Sequence, residues 1–134
     1  MSIFLGGTGS ANELDDYEEG THQPQPVLGG INSGVTDGKY TKIGDMCFYI
    51  GSITPDNTSS SGNIFQFSLP FTAASGRAGS GVIRYSNHSS SGNITFHVDA
   101  SQAKVSWYEF GGGTFTYAEA GGNRFDFAIF YKTA

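Results

Sequence analysis

The sequence predicts an all-β fold, an antiparallel sandwich of the jelly-roll type, and three observations carry that prediction. Aromatic residues are abundant, with 11 Phe and 7 Tyr among 134 residues, and aromatics favour strands. Glycine is abundant too, at 20 residues, and it gathers with Ser and Asn in clusters that read as turns. No window sustains an apolar period of 3.6, so helices are expected to be few. The length suits one domain with one hydrophobic core.

Residues 1–38 read differently from the remainder. They hold Gly6-Gly7-Thr8-Gly9, an acidic cluster, Pro24-Gln25-Pro26, and then Gly29-Gly30 and Gly34. Proline removes ladder donors and glycine weakens strands, so this stretch is expected to be an extended N-terminal arm with a first edge strand. The sandwich itself is expected over 39–134.

From Lys39 onward the period is two, which in a strand sends alternate side chains to opposite faces. Met46, Phe48 and Ile50 fall on one face and are expected to be the inward set of their strand. Phe65, Phe67 and Leu69 form the next set, and Val82-Ile83-Arg84-Tyr85 is a shorter piece. Ile94, Phe96 and Val98 alternate with Thr95 and His97, and Val105 and Trp107 alternate with Ser106 and Tyr108. Phe125, Phe127, Ile129 and Tyr131 alternate with Arg124, Asp126 and Lys132. The polar side of that last strand still carries Phe130. A strand apolar on both faces asks for burial on both, so Phe130 is read as a contact to a neighbouring copy of the chain. About eight such segments fit a two-sheet jelly roll.

One internal echo stands out, Ser59-Ser60-Ser61-Gly62-Asn63-Ile64 returning as Ser89-Ser90-Ser91-Gly92-Asn93-Ile94. Each copy leads into a strand centred on Phe. Gly and Asn tolerate the positive φ of hairpin turns, so both copies are expected at hairpin tips.

Charge and cysteine usage narrow the function classes. The net charge is −5, and five of the 12 acidic residues (Glu13, Asp15, Asp16, Glu18 and Glu19) lie within seven positions. Residues 1–26 contain no Lys or Arg, and outside the cluster seven acids face seven bases. The body is therefore formally neutral, without a basic stripe for phosphate, and nucleic acid is not expected as a partner. The single cysteine, Cys47, permits no internal disulfide and sits in an apolar run as an inert buried thiol. The opening Met-Ser-Ile-Phe-Leu-Gly lacks a basic start and a long apolar stretch, so synthesis in a cytoplasm, no signal peptide and no membrane partner are expected.

Catalytic readings weigh less than structural ones. No P-loop, nucleophile elbow, Cys-x-x-Cys or His-x-x-x-His appears. Serines are plentiful beside His22, His88 and His97, yet most lie in Gly/Ser turns. Asp99 and Glu109 flank an aromatic strand, the weak outline of a glycosidase pair, and Asp99 reads better as a turn residue. Residues 15–20 lack the alternating ligand spacing of a calcium loop. Asn57, Asn87 and Asn93 sit in formal glycosylation sequons, which Ser/Thr-rich turns produce by chance. No cofactor, metal or enzymatic activity is expected. Trp107 is expected in the core with Val105, which leaves Tyr108, next to Glu109-Phe110 and Gly111-Gly112-Gly113, as the exposed aromatic for contact with a glycan.

Two stretches carry a family resemblance. Leu14-Asp15-Asp16-Tyr17-Glu18-Glu19-Gly20-Thr21 resembles the lead-in found before small β-domains in phage tail-fibre and other virion proteins. Gly38-Lys39-Tyr40-Thr41-Lys42-Ile43-Gly44-Asp45 and Leu69-Pro70-Phe71-Thr72 resemble the strand and turn that follow it there, and the likeness runs over about residues 10–134. The resemblance implies a jelly roll similar to the tumour necrosis factor fold, a homotrimer, and a place on the virion surface. Its expected function is that of a non-enzymatic structural protein, first a capsid decoration or cement protein. Asp15, Asp16, Tyr17, Glu18 and Glu19 would attach it to the major capsid protein or other virion subunits. The alternative is a receptor-binding module at a tail-fibre or head-fibre tip, touching a host surface glycan through Tyr108.

Overall fold

In the computed structural model, residues 3–4, 13–14, 17–28, 36–56, 62–76, 78–89 and 93–134 are described. Ten strands run in chain order: β1 (Ile3–Phe4), β2 (Glu13–Leu14), β3 (Tyr17–Thr21), β4 (Asp37–Ile43), β5 (Met46–Ile53), β6 (Gln66–Ser68), β7 (Gly79–Ser86), β8 (Ile94–Val98), β9 (Lys104–Glu109) and β10 (Phe125–Lys132). One short helix, α1 (Tyr117–Ala120), lies between β9 and β10. Every strand pairing is antiparallel. A five-stranded sheet in the order β3-β4-β5-β10-β7 faces a three-stranded sheet in the order β6-β9-β8, and β1 pairs with β2 in a separate two-stranded ladder. The all-β, antiparallel sandwich expected from the sequence is what forms.

The core between the sheets is largely aromatic. Trp107 is fully buried, with ring centroids 4.8 Å from Phe65, Phe96 and Phe125. Phe67 and Phe127 meet across the sandwich at 4.8 Å, and Tyr49 packs on Phe127 at 5.1 Å. Phe125, Phe127, Ile129 and Tyr131 all point inward from β10, and Phe96 and Val98 do so from β8, as the alternation requires. Close packing of this kind makes each ring expensive to remove, about 3–5 kcal/mol for a Trp or Phe cut to Ala. Gly81 on β7 lies opposite Ile129, and a Cβ there would stand 2.6 Å from the Phe96 ring. Glycine thereby lets β7 approach β8 of the other sheet.

Two expectations need correction. On β5 the inward residues are Cys47, Tyr49 and Ile53, while Phe48 and Ile50 are exposed and Met46 is half-buried. Both faces of that strand are apolar, so period two alone could not say which one faces the core. The second correction concerns the repeated Ser-Ser-Ser-Gly-Asn segments. β5 and β6 belong to different sheets, and so do β7 and β8, so the strands flanking each copy do not pair as hairpins, while residues 59–61 and 90–92 themselves lie outside the described residues. Their described asparagines do play matching parts: the Asn63 carbonyl accepts from the Tyr117 amide, and the Asn93 carbonyl accepts from the Phe110 amide.

After β3 the chain crosses the open side of the sandwich. The Val27 amide donates to the Gln66 carbonyl at 2.9 Å, and the Ser68 amide donates to the Gln25 carbonyl at 2.9 Å. Tyr117 ties this strap down by donating to the Gln66 carbonyl and accepting from the Leu28 amide. The exposed ladder of β6 is thus satisfied by a proline-containing segment that offers few donors of its own.

Candidate functional site

The five-stranded sheet carries an apolar outer face. Phe48 (50% exposed), Ile50 (48%), Val82 (61%) and Phe130 (52%) stand on it together. Register explains the cluster, because Phe130 is opposite Phe48, and Ala128 is opposite both Ile50 and Val82. Cross-strand partners share a face and touch. The side chains surround a shallow hollow of about 250 Å³. Monomeric proteins seldom leave such a contiguous aromatic patch in water without a partner. Phe130 therefore stands where its sequence reading placed it, on the face opposite the core.

A polar hollow adjoins this face at the Asp37 end. A register shift between Asp126 and Phe127 puts a bulge in β7, so Tyr85 pairs with Asp126, Ile83 with Phe127, and Arg84 has no partner residue. Arg84 lines the hollow together with Lys39, Ser52, Arg124 and Asp126. Arg124 holds Asp126 by two hydrogen bonds of 2.8 and 3.0 Å, and Ser52 donates to the same carboxylate at 2.6 Å. Burial alone would raise the Asp126 carboxyl, but the Arg124 guanidinium and the Ser52 hydroxyl outweigh it and hold it below the usual carboxylate range.

The outer face of the three-stranded sheet is polar. Gln66 donates to Ser106 at 2.7 Å, and Ser106 donates to Asp99 at 2.8 Å. Asp99 also lies 3.5 Å from the Lys104 ammonium and 3.3 Å from Nδ1 of His97. In a hydrolytic triad the imidazole stands between hydroxyl and carboxylate. Here the carboxylate stands in the middle and the Ser106 hydroxyl is spent on it, so the arrangement fixes the β8–β9 end. Among the described residues, no three His, Cys, Asp or Glu side chains gather as a metal-ligating group. No helix among them is long and apolar enough to cross a membrane.

Tyr108 sits on this polar face opposite Thr95, half-buried, with its ring 6.2 Å from His97. It borders an open hollow of about 360 Å³ shared with Thr95, His97, Glu109 and Phe110. Phe110, which the sequence places beside Tyr108 but does not single out, is 86% exposed. Its position is fixed by a tight turn: the Glu109 amide donates to Gly113, the Gly112 amide donates back to Glu109, and Gly111 and Gly112 hold φ of +107° and +98°. Only glycine adopts such backbone without strain. The signal was present, since an aromatic followed by three glycines has left its strand.

The acidic segment is divided. Asp15 and Asp16 lie outside the described residues. Tyr17, Glu18 and Glu19 belong to β3, the outermost strand of the five-stranded sheet. Tyr17 donates to Glu19, and Tyr40 donates to Glu18 at 2.6 Å. Cys47 is buried as expected, and burial pushes its thiol pKa up.

A two-sheet antiparallel sandwich with one apolar and one polar outer face is the class this geometry defines. No protein-family model matches the chain, and no curated protein matches it in sequence. Among solved structures the fold is similar to the crystal structure of the Dettilon tailspike protein, with a TM-score of 0.68 and 15% identity. The match covers 87% of this chain and 24% of that one, so the chain spans about a quarter of the tailspike's length. At that identity the likeness is one of fold.

Proposed function

We propose that this chain is a non-enzymatic surface module of a bacteriophage virion, a reduced jelly roll that associates as a homotrimer and presents its polar face for recognition of a host surface glycan. The observation that carries the reading is the contrast between the two outer faces. Phe48, Ile50, Val82 and Phe130 gain by packing against copies of the chain, at about 25 cal/mol for each Å² of apolar surface buried. Tyr108 and Phe110 offer sugar-stacking surfaces beside the hydrogen-bonding groups of Thr95, His97 and Glu109. The fold likeness to a tailspike and the virion-type lead-in motif support the particle context.

Capsid decoration is the second reading, favoured by the base-free acidic segment that ends in β3. The Tyr40 hydroxyl bonded to Glu18 ties that residue into the body and makes it a poorer anchor, which is why recognition is placed first. Gold-labelled antibody against the chain, viewed on intact particles, separates the two. Label at a tail or fibre tip, with glycan-array binding lost on Tyr108→Ala, fits recognition. Label spread over the head makes decoration the function, and unlabelled particles sink both.

A further inference from the structure

The two edges of the five-stranded sheet carry unlike charge on the face where the chain is read to self-associate. On the β3 edge stands Glu19, exposed, whose Oε1 accepts from Tyr17 and whose Oε2 has no hydrogen-bond partner among the described residues. On the β7 edge stands Arg84, exposed and turned by the bulge toward the polar hollow. Bulges recur where a strand must re-aim a side chain. Among the described residues Arg84 and Lys39 have no carboxylate within ion-pair distance, and Asp126, which feels the Arg84 charge, is already bonded by Arg124 and Ser52. Asp37, the remaining acid of the hollow, leaves three cations against two anions. Burying this end of the face would strand an unpaired guanidinium, which is costly unless a carboxylate meets it.

We propose that the hollow beside Arg84 receives the Glu19 carboxylate of a neighbouring copy, so that the β7 edge of each copy meets the β3 edge of the next. This rests on the self-association proposed above and adds its polarity. Glu19 of the same chain cannot serve, because β3 and β7 are separated by three strands, about 19 Å at normal strand spacing. A two-fold dimer made through like edges would set Glu19 against Glu19 and Arg84 against Arg84. Unlike edges fit a head-to-tail contact, the type that closes into rings such as trimers, and equally a two-fold face-to-face contact in which each Glu19 meets the other copy's Arg84. The apolar stripe between them would form the dry centre of the contact and the Glu19–Arg84 pair its polar margin, the usual anatomy of a protein interface.

The test is a charge swap in the full chain, read by sedimentation across a concentration series, with circular dichroism to confirm folding. Arg84→Glu and Glu19→Lys are each expected to weaken assembly about tenfold, and the double variant to return to within about threefold of the original. An assembly indifferent to either single change, or one that the double change fails to restore, overturns the pairing and leaves self-association standing. A wild-type chain that stays monomeric at every concentration overturns both. Arg84-dependent binding of glucuronate to the assembled protein would show the hollow open to a sugar acid, and would likewise overturn the proposal.

Discussion

On the outer face of the five-stranded sheet, Phe48, Ile50, Val82 and Phe130 stand side by side in solvent. On the outer face of the three-stranded sheet, Gln66, Ser106, Asp99 and His97 join one another through hydrogen bonds. Both faces are built from the alternate positions of strands whose other positions make one shared core. The core sets stability, so the outward positions are free to take on contacts. One face answers its polar groups internally and keeps an aromatic hollow for small contacts. The other leaves apolar side chains half-exposed beside one another, the surface on which the proposed self-association would be built.

The comparison breaks most completely if its shared core is removed. Trp107→Ala should cost about 3–5 kcal/mol, because three aromatic rings from both sheets lose their common partner. Denaturant unfolding measures it, and a loss below about 1 kcal/mol would mean that the two sheets do not depend on one core. Next comes the apolar face. The double substitution Phe48→Asp and Phe130→Asp should weaken self-association by at least about a hundredfold and leave the monomer folded, as read by light scattering. An unchanged particle mass would show that this face is not where copies meet.

A smaller effect is expected on the polar face. Asp99→Ala leaves the buried Ser106 hydroxyl without its acceptor and should cost about 1–3 kcal/mol with no change in assembly. If assembly is lost as well, the two faces are not independent. The subtlest effect is one of pH at the strap. His22 is half-buried against Ser68 and Tyr49, and burial lowers its pKa while the Ser68 contact opposes the shift. The unfolded chain therefore takes the proton first, near its ordinary value of about 6.5. Stability is full above that pH and declines as pH falls toward the lower folded value. His22→Gln should flatten this decline in thermal melts between pH 7 and pH 5, and a slope that persists in the variant would assign it to other groups.

Much of this was legible in the chain. Phe125, Phe127, Ile129 and Tyr131, like Val105 with Trp107, announced their inward faces because polar residues marked the opposite side. Where both sides of a strand were apolar, as in Met46–Ile50, the pattern lost its sign and the wrong face was read as core. The Ser-Ser-Ser-Gly-Asn echo marked where the chain turns but not what it turns between. Tyr108 could be picked out as an outward aromatic, whereas the turn that projects Phe110 beside it and the bulge that re-aims Arg84 left no mark in periodicity.

The sequence by itself determined the strand class, the short-period patterning, the scarcity of helix and the acidic, base-free start, because each depends on local backbone preference or on counting charges. Only the tertiary structure decided which face of β5 is buried, that the strap seals β6, that Phe48, Ile50, Val82 and Phe130 form one surface, and that Arg84 stands opposite Glu19 across the sheet. Those facts depend on strand order and register, which are set by contacts between residues far apart in the chain and leave no trace in any single window of it.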